Sequence, residues 1–164
     1  LHKSSLTARL APMWVGVAAH LPYNPSVHGA AMSPDHLITD PVSGAPYIRA
    51  GFDVLVSKRQ QLRLGHTLET AGYAAPPSSA NGDPESVVLV AVYGSVAGSP
   101  ADSSRPPLRV ADAGVVPIGV VRVPAATVAA GGGRFAVHLE IGLARIDCRV
   151  VGESGAPLEQ GWVW

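Results

Sequence analysis

Cysteine is almost absent from this chain, since Cys148 is the single cysteine among 164 residues. One cysteine excludes an internal disulfide framework and is typical of a reducing compartment, so we expect a cytoplasmic location. Charged residues are also few, at 15%, and twelve basic side chains balance twelve acidic ones. Because no basic cluster stands out, the composition argues against nucleic acids and anionic membranes as partners.

Long apolar runs are missing as well. No stretch approaches the roughly 18 residues of a membrane span, and no signal peptide is evident. A chain of 164 residues is long enough for one domain with a hydrophobic core, so we assign residues 1–164 to a single domain. The chain begins at Leu1 rather than at a methionine. We therefore expect it to be a fragment of a longer protein.

Glycine and proline are abundant, with 18 and 15 copies, which favours short strands joined by turns. The stretch "FAVHLEI", residues 135–141, alternates apolar and polar positions, and "LARIDCRV", residues 143–150, repeats the pattern after Gly142. This period predicts a β-hairpin. Further strands are predicted in "VVPIGVVRVP", which ends at Pro124, and in "FDVLVSKRQQLRL", residues 52–64. The sequence therefore predicts an all-β fold, an antiparallel β-sandwich with little helix.

Residues 22–50 contain five prolines and no sustained apolar period. We predict that they form a long insertion in the first hairpin loop, open to proteases. His28 and His36 lie there with Asp35 and Asp40 nearby, which raises the question of a metal site. Without a cysteine partner or helical spacing, solvent-exposed loop histidines are the favoured interpretation, and we predict no metal.

The stretch "VVLVAVYGS", residues 87–95, is apolar on both faces of a strand. Such a strand is either central in a sandwich or presents one face to an apolar ligand.

Motifs for catalysis are scarce. In "GSVAG", residues 94–98, the serine directly follows the first glycine, so this is not the nucleophile elbow of hydrolases. "AAGGGRF", residues 129–135, lacks the Lys-Ser/Thr ending of a phosphate loop and predicts a turn. Cys148 alternates with apolar neighbours, which indicates an inert buried thiol. The chain is therefore predicted not to be an enzyme.

Five stretches, taken in order, resemble one family. They are "LAPMWVGV" (residues 10–17), "LVSKRQQL" (55–62), "VLVAVY" (88–93), "PIGVVRVP" (117–124) and "RFAVHLEIGLARIDCRVVGESG" (134–155). Together they are similar to the peptide-binding β-domain of the seventy-kilodalton heat-shock chaperones. The resemblance covers about residues 10–21 and 51–155, and nothing in the family matches residues 22–50.

The resemblance implies that the domain captures extended apolar segments of unfolded polypeptide through main-chain hydrogen bonds and one central pocket. Matching the motifs residue by residue gives the pocket walls and an arch of two side chains over the peptide. The implied walls are Val17, Thr70, Val88 and Val90, with Leu68 replacing Thr70 if the register slips, and the implied arch is His20 and Tyr73.

The resemblance also implies an ATPase domain before this chain and a helical lid after it. ATP would belong to that parent protein, so no cofactor is expected in this chain. Implied partners are unfolded polypeptides, co-chaperones and the parent's own ATPase domain. The alternative is a structural or adhesive β-sandwich, of capsid or surface type, that uses residues 22–50 as its contact loop.

Overall fold

A computed structural model describes residues 8–28, 32–69, 73–74, 87–100, 102–130, 133–142, 145–152 and 157–163. Strands dominate these residues. In chain order they are β1 (Ala8–Leu10), β2 (Trp14–Pro22), β3 (Leu37–Thr39), β4 (Pro46–Val56), β5 (Gln61–Arg63), β6 (Thr67–Glu69), β7 (Tyr73–Ala74), β8 (Val87–Ser95), β9 (Val115–Pro124), β10 (Arg134–Ile141), β11 (Ile146–Gly152) and β12 (Pro157–Val163). The helices are short: α1 (Pro25–His28), a 3₁₀ helix (Pro34–His36) and α2 (Ala125–Ala130).

The strands form two five-stranded antiparallel sheets and a small ribbon. The first sheet has the order β3-β4-β2-β8-β9. The second has the order β12-β11-β10-β6, with β7 also paired to β10, and β1 pairs with β5 in the ribbon. Apolar side chains from both sheets meet in one buried cluster. The predicted all-β antiparallel sandwich is therefore confirmed.

The hairpin predicted around Gly142 is confirmed as β10 and β11. Leu139 pairs with Cys148, and both side chains are buried. The side chains at the alternate positions point outward. Among them, Arg149 Nη2 lies 2.7 Å from Glu140 Oε2. This is the expected result of a period of two, because one face of each strand contributes to the core and the other meets water.

The described part of residues 22–50 contains more regular structure than a simple insertion loop. Their second half contributes β3 and the first five residues of β4, and Tyr47 on β4 pairs with Pro22 at the end of β2. The long connection in the first hairpin therefore runs from residue 23 to residue 45. The prolines did not prevent pairing, because Pro22 and Pro46 lie at strand ends, where a missing N–H is tolerated.

The single strand predicted over residues 52–64 is wrong in detail. The chain forms β4 and β5 with a turn at residues 57–60 between them. Gln60 N donates to Ser57 O, Ser57 N donates to Gln60 Oε1, and Arg59 has φ of +69°. The turn is set by these local hydrogen bonds rather than by glycine or proline, so its sequence signal is weak.

Gly16 on β2 has no room for a side chain. A Cβ atom at this position would lie 2.5 Å from Asp53 O and 2.7 Å from Phe52 Cε1. Phe52 is buried and Asp53 O belongs to the neighbouring strand, so neither moves easily. We expect Gly16→Ala to lower the free energy of unfolding by about 1 to 3 kcal/mol, measured by urea denaturation.

Ala18→Ser is the matched control, because Ala18 lies two residues further on the same strand and is exposed. Its effect should stay within about 0.5 kcal/mol. Equal stabilities for the two variants would contradict the close approach of β2 and β4 at Gly16.

Candidate functional site

Three of the predicted pocket residues lie together between the two sheets. Val17, Val88 and Val90 belong to one buried cluster, with 3%, 7% and 6% of their surface exposed. Val92, further along β8, is fully buried at 0%. Val88 and Val90, at the beginning of β8, are therefore slightly more exposed than Val92.

The main-chain ladder between β2 and β8 is short. It pairs residues 14–17 with residues 92–95, and Val17 with Val92 is its last pair. Beyond it, residues 18–22 pair only with β4, and residues 87–91 pair only with β9, among the residues that the structure describes. We call the space between these two segments the β2–β8 cleft.

Main-chain groups that face the β2–β8 cleft therefore have no ladder partner within the described residues. Burial falls along β2 at the same point: residues 14–17 are buried, whereas Ala18, His20 and Pro22 are exposed. Two facing strand edges that lack partners are a template for a further extended chain.

His20, one of the two predicted arch residues, lies on the cleft segment of β2. Its side chain is exposed, and its Nδ1 accepts a hydrogen bond from Ala50 N at 3.4 Å. Ala50 has φ of +48° and occupies a β-bulge, where β4 has one residue more than β2. His20 therefore contacts the bulge of β4. This bulge lies beyond Val17 and Val92, the last residue pair between β2 and β8.

Tyr73, the other predicted arch residue, connects the two sheets. It lies on β7 of the second sheet, and its ring packs against Phe135 with centroids 5.9 Å apart. Its hydroxyl donates a hydrogen bond to Asp53 Oδ2 on β4 of the first sheet. Asp53 is the ladder partner of Val17, so Tyr73 reaches the first sheet beside the closed end of the β2–β8 cleft.

Thr70 lies outside the described residues, so its predicted role stays a prediction. Leu68, its alternative, is partly buried and packs against the core cluster. Asp53 and Phe135 were missed by sequence reasoning. A signal for Asp53 existed, because a single carboxylate in the apolar stretch "FDVLV" needs a polar partner if it is drawn toward the core.

The opposite face of β8 is apolar and open. Leu89 is 61% exposed and Val87 46% exposed, and Val120 on β9 is 49% exposed. Leu89 pairs with Arg122, and Ala91 pairs with Val120. We call Val87, Leu89 and Val120 the outer strip. Both faces of "VVLVAVYGS" are thus accounted for: one packs in the core and the other lies at the surface.

Two of the remaining candidate groups, His28 and Asp40, accept hydrogen bonds from neighbouring residues of the chain. His28 Nδ1 accepts a hydrogen bond from Asn24 N at 2.9 Å. Hydrogen bonds from the Ser43 hydroxyl and the Val42 N–H lower the pKa of Asp40. The described residues contain no group of three or more His, Cys, Asp or Glu side chains that could hold a metal ion. None of the helices within those residues has the length and apolar content to cross a membrane.

No model of a known protein family matches this chain, and no curated protein or solved structure is significantly similar to it.

The Tyr73–Asp53 hydrogen bond gives a test of the contact between the sheets. Removal of the hydroxyl in Tyr73→Phe and of the charge in Asp53→Asn should each destabilise the domain, because a bond to a carboxylate is stronger than a neutral one. A double-mutant cycle by urea unfolding should give a coupling of about 1 to 2 kcal/mol. Tyr47→Phe, the same change on β4, is the control and should cost less than about 0.5 kcal/mol. If the effects of the two single substitutions simply add up in the double variant, that result would contradict the hydrogen bond between Tyr73 and Asp53.

Cys148 gives a pH-dependent prediction. Burial raises the pKa of its thiol to about 11, whereas an unfolded thiol titrates near pH 8.5. The folded chain therefore keeps its proton where the unfolded chain loses it, and the free energy of unfolding falls as pH rises through this window. Between about pH 8 and about pH 10.5, the wild type should lose roughly 2 kcal/mol more than Cys148→Ala. If the wild type and Cys148→Ala lose the same free energy of unfolding over this pH range, measured by urea denaturation, Cys148 does not cause the pH dependence.

Proposed function

We propose that this domain binds extended apolar segments of unfolded polypeptide in the β2–β8 cleft, as a chaperone of the kind that it resembles. The observation that carries the proposal is the early end of the β2–β8 ladder at Val17 and Val92. A client chain in extended conformation satisfies the facing main-chain groups of residues 18–22 and 87–91 by strand addition. Main-chain bonds are indifferent to sequence, which suits a binder of many clients.

Side-chain selectivity would come from the space below the cleft. A client strand that pairs with either wall directs alternate side chains between the sheets, toward Val88 and Val90. Val17 would close one end of this pocket, and Tyr73 would border it from the second sheet. These side chains are apolar apart from the tyrosine hydroxyl, which is already bonded to Asp53. An aliphatic client side chain is therefore the best fit.

The positions of the five family-like stretches support the proposal. They fall on β2, on the turn between β4 and β5, on β8, on β9 and on the β10–β11 hairpin. Four of the six residues implied to contact peptide, Val17, Val88, Val90 and Tyr73, belong to or pack against one apolar cluster. His20 lies on a wall of the cleft. The proposal assigns no enzymatic activity and no cofactor to this chain, and it keeps a cytoplasmic location and co-chaperone partners as expectations.

A second candidate function is an interaction module of structural or adhesive type. It is favoured by the outer strip, because Leu89 and Val120 expose apolar surface on a part of the first sheet that no described element covers. The two functions use opposite faces of the same strand. Substitutions at neighbouring positions of β8 therefore distinguish them.

The test uses a fluorescent, leucine-centred heptapeptide and fluorescence polarisation. Val90→Phe should fill the pocket and weaken binding by tenfold to a hundredfold, since the burial of one aliphatic side chain is worth roughly 1.5 to 3 kcal/mol. Leu89→Thr, one residue earlier and on the outer strip, should leave the affinity unchanged. A heptapeptide with N-methyl groups on alternate main-chain nitrogens should bind at least about tenfold more weakly, because it cannot complete the ladder.

Thermal midpoints of the wild type and both variants control for folding. A folded wild type that binds no apolar peptide would reject the proposed function. Loss of binding in Leu89→Thr with normal binding in Val90→Phe would instead support the interaction module.

A further inference from the structure

The end of the sandwich opposite the β2–β8 cleft holds a cavity. Its volume is about 270 Å³, and it lies among β5, β6 and the end of β10. Tyr73 and the cleft lie near the beginning of β10, whereas Ile141, which lines this cavity, is the last residue of that strand. The two sites are therefore separate, and each can be tested without the other.

The floor of the cavity is apolar. Leu62 and Ile141 line it and are almost fully buried in the core, and Leu68 lines it and is partly buried. An aliphatic group that entered would replace water against this floor. The volume is sufficient for one or two side chains of leucine size and is too small for a folded partner.

The rim carries one arginine and is rich in N–H donors. Arg63, His66, Gln60 and Gln61 line it, and none of the described residues that line the cavity is acidic. Arg63 and His66 are exposed and make no ion pair with any described residue. Gln60 Oε1 already accepts a hydrogen bond from Ser57 N, which leaves its amide N–H groups to donate.

The main chain holds this rim in a defined geometry. His66 N donates to Arg63 O, Gly65 N donates to Ile141 O, and Ile141 N donates to His66 O. Gly65 has φ of +79°, which a side chain disfavours, and on the other side Ala11 N donates to Gln60 O. Arg63 and His66 are thus held by a turn that is hydrogen-bonded to β10 rather than by a free loop.

From this combination we propose that the cavity binds a small aliphatic carboxylate, with its apolar body on the Leu62–Ile141 floor and its carboxylate between Arg63 and His66. Arginine presents paired N–H donors that match the two carboxylate oxygens. The same chemistry is found in a free branched-chain acid and in the last residue of a peptide that ends in an aliphatic side chain.

The test is a titration of the ¹⁵N-labelled domain followed by two-dimensional NMR. The probes are N-acetyl-leucine, which represents a peptide terminus, and 4-methylpentanoate, which represents a free acid. At least one of them should shift the amide signals of residues 62–68 and Ile141, with a dissociation constant on the order of 1 mM. The probe that binds more tightly identifies the source of the ligand.

N-acetyl-leucine amide has the same apolar body without the charge and should bind at least about tenfold more weakly. Arg63→Gln should reduce the affinity for the carboxylate by about the same factor, and His66→Asn should reduce it as well. Arg122→Gln, which removes an exposed arginine on β9, is the control and should change nothing. Equal binding of the neutral amide, no reduction by either cavity variant, or no shift at residues 62–68 would overturn the proposal.

Discussion

The geometry of the proposed peptide site depends on the place where β2 and β8 cease to pair. The ladder ends at Val17 and Val92, while β2 continues beside β4 to Pro22 and β8 begins beside β9 at Val87. Just beyond the last pair, β4 carries an extra residue at the Ala50 bulge. A bulge bends the strand and increases its twist. The bulge lies beside the part of β2 that pairs with β4 and, within the described residues, no longer pairs with β8.

The same end of the sandwich is held together by a different kind of contact. Tyr73 extends from the second sheet, packs on Phe135 and donates its hydroxyl to Asp53 beside Val17. Without this hydrogen bond, the Asp53 carboxylate would lose its partner at the border of the apolar cluster. The polar bridge lies beside the last pair of the β2–β8 ladder and next to the buried cluster. Val88 and Val90 pack in that cluster and belong to the segment of β8 that pairs only with β9 among the described residues.

The two ends of the sandwich present different chemistry. The cleft end offers main-chain groups and aliphatic side chains, which suits extended apolar chains. The opposite end offers Arg63, His66 and two glutamine amides above an apolar floor. Both ends are built from the same long strands, because β10 begins beside Tyr73 and ends at Ile141. One antiparallel core therefore supports the two proposed sites, which differ in charge and can be tested independently.

The sequence by itself determined the fold class and the inward faces of the main strands. Val137, Leu139, Cys148 and Val150 are buried as their alternation predicts, because side-chain direction along a strand is a local property. The resemblance also selected Val17, Val88 and Val90, which meet in one cluster. Only the tertiary structure decided that residues 22–50 contribute β3 and part of β4, that the β2–β8 ladder stops at Val17, and that Asp53 meets Tyr73. Each of these depends on which distant segments lie side by side, and a local pattern carries no information on a partner twenty or more residues away.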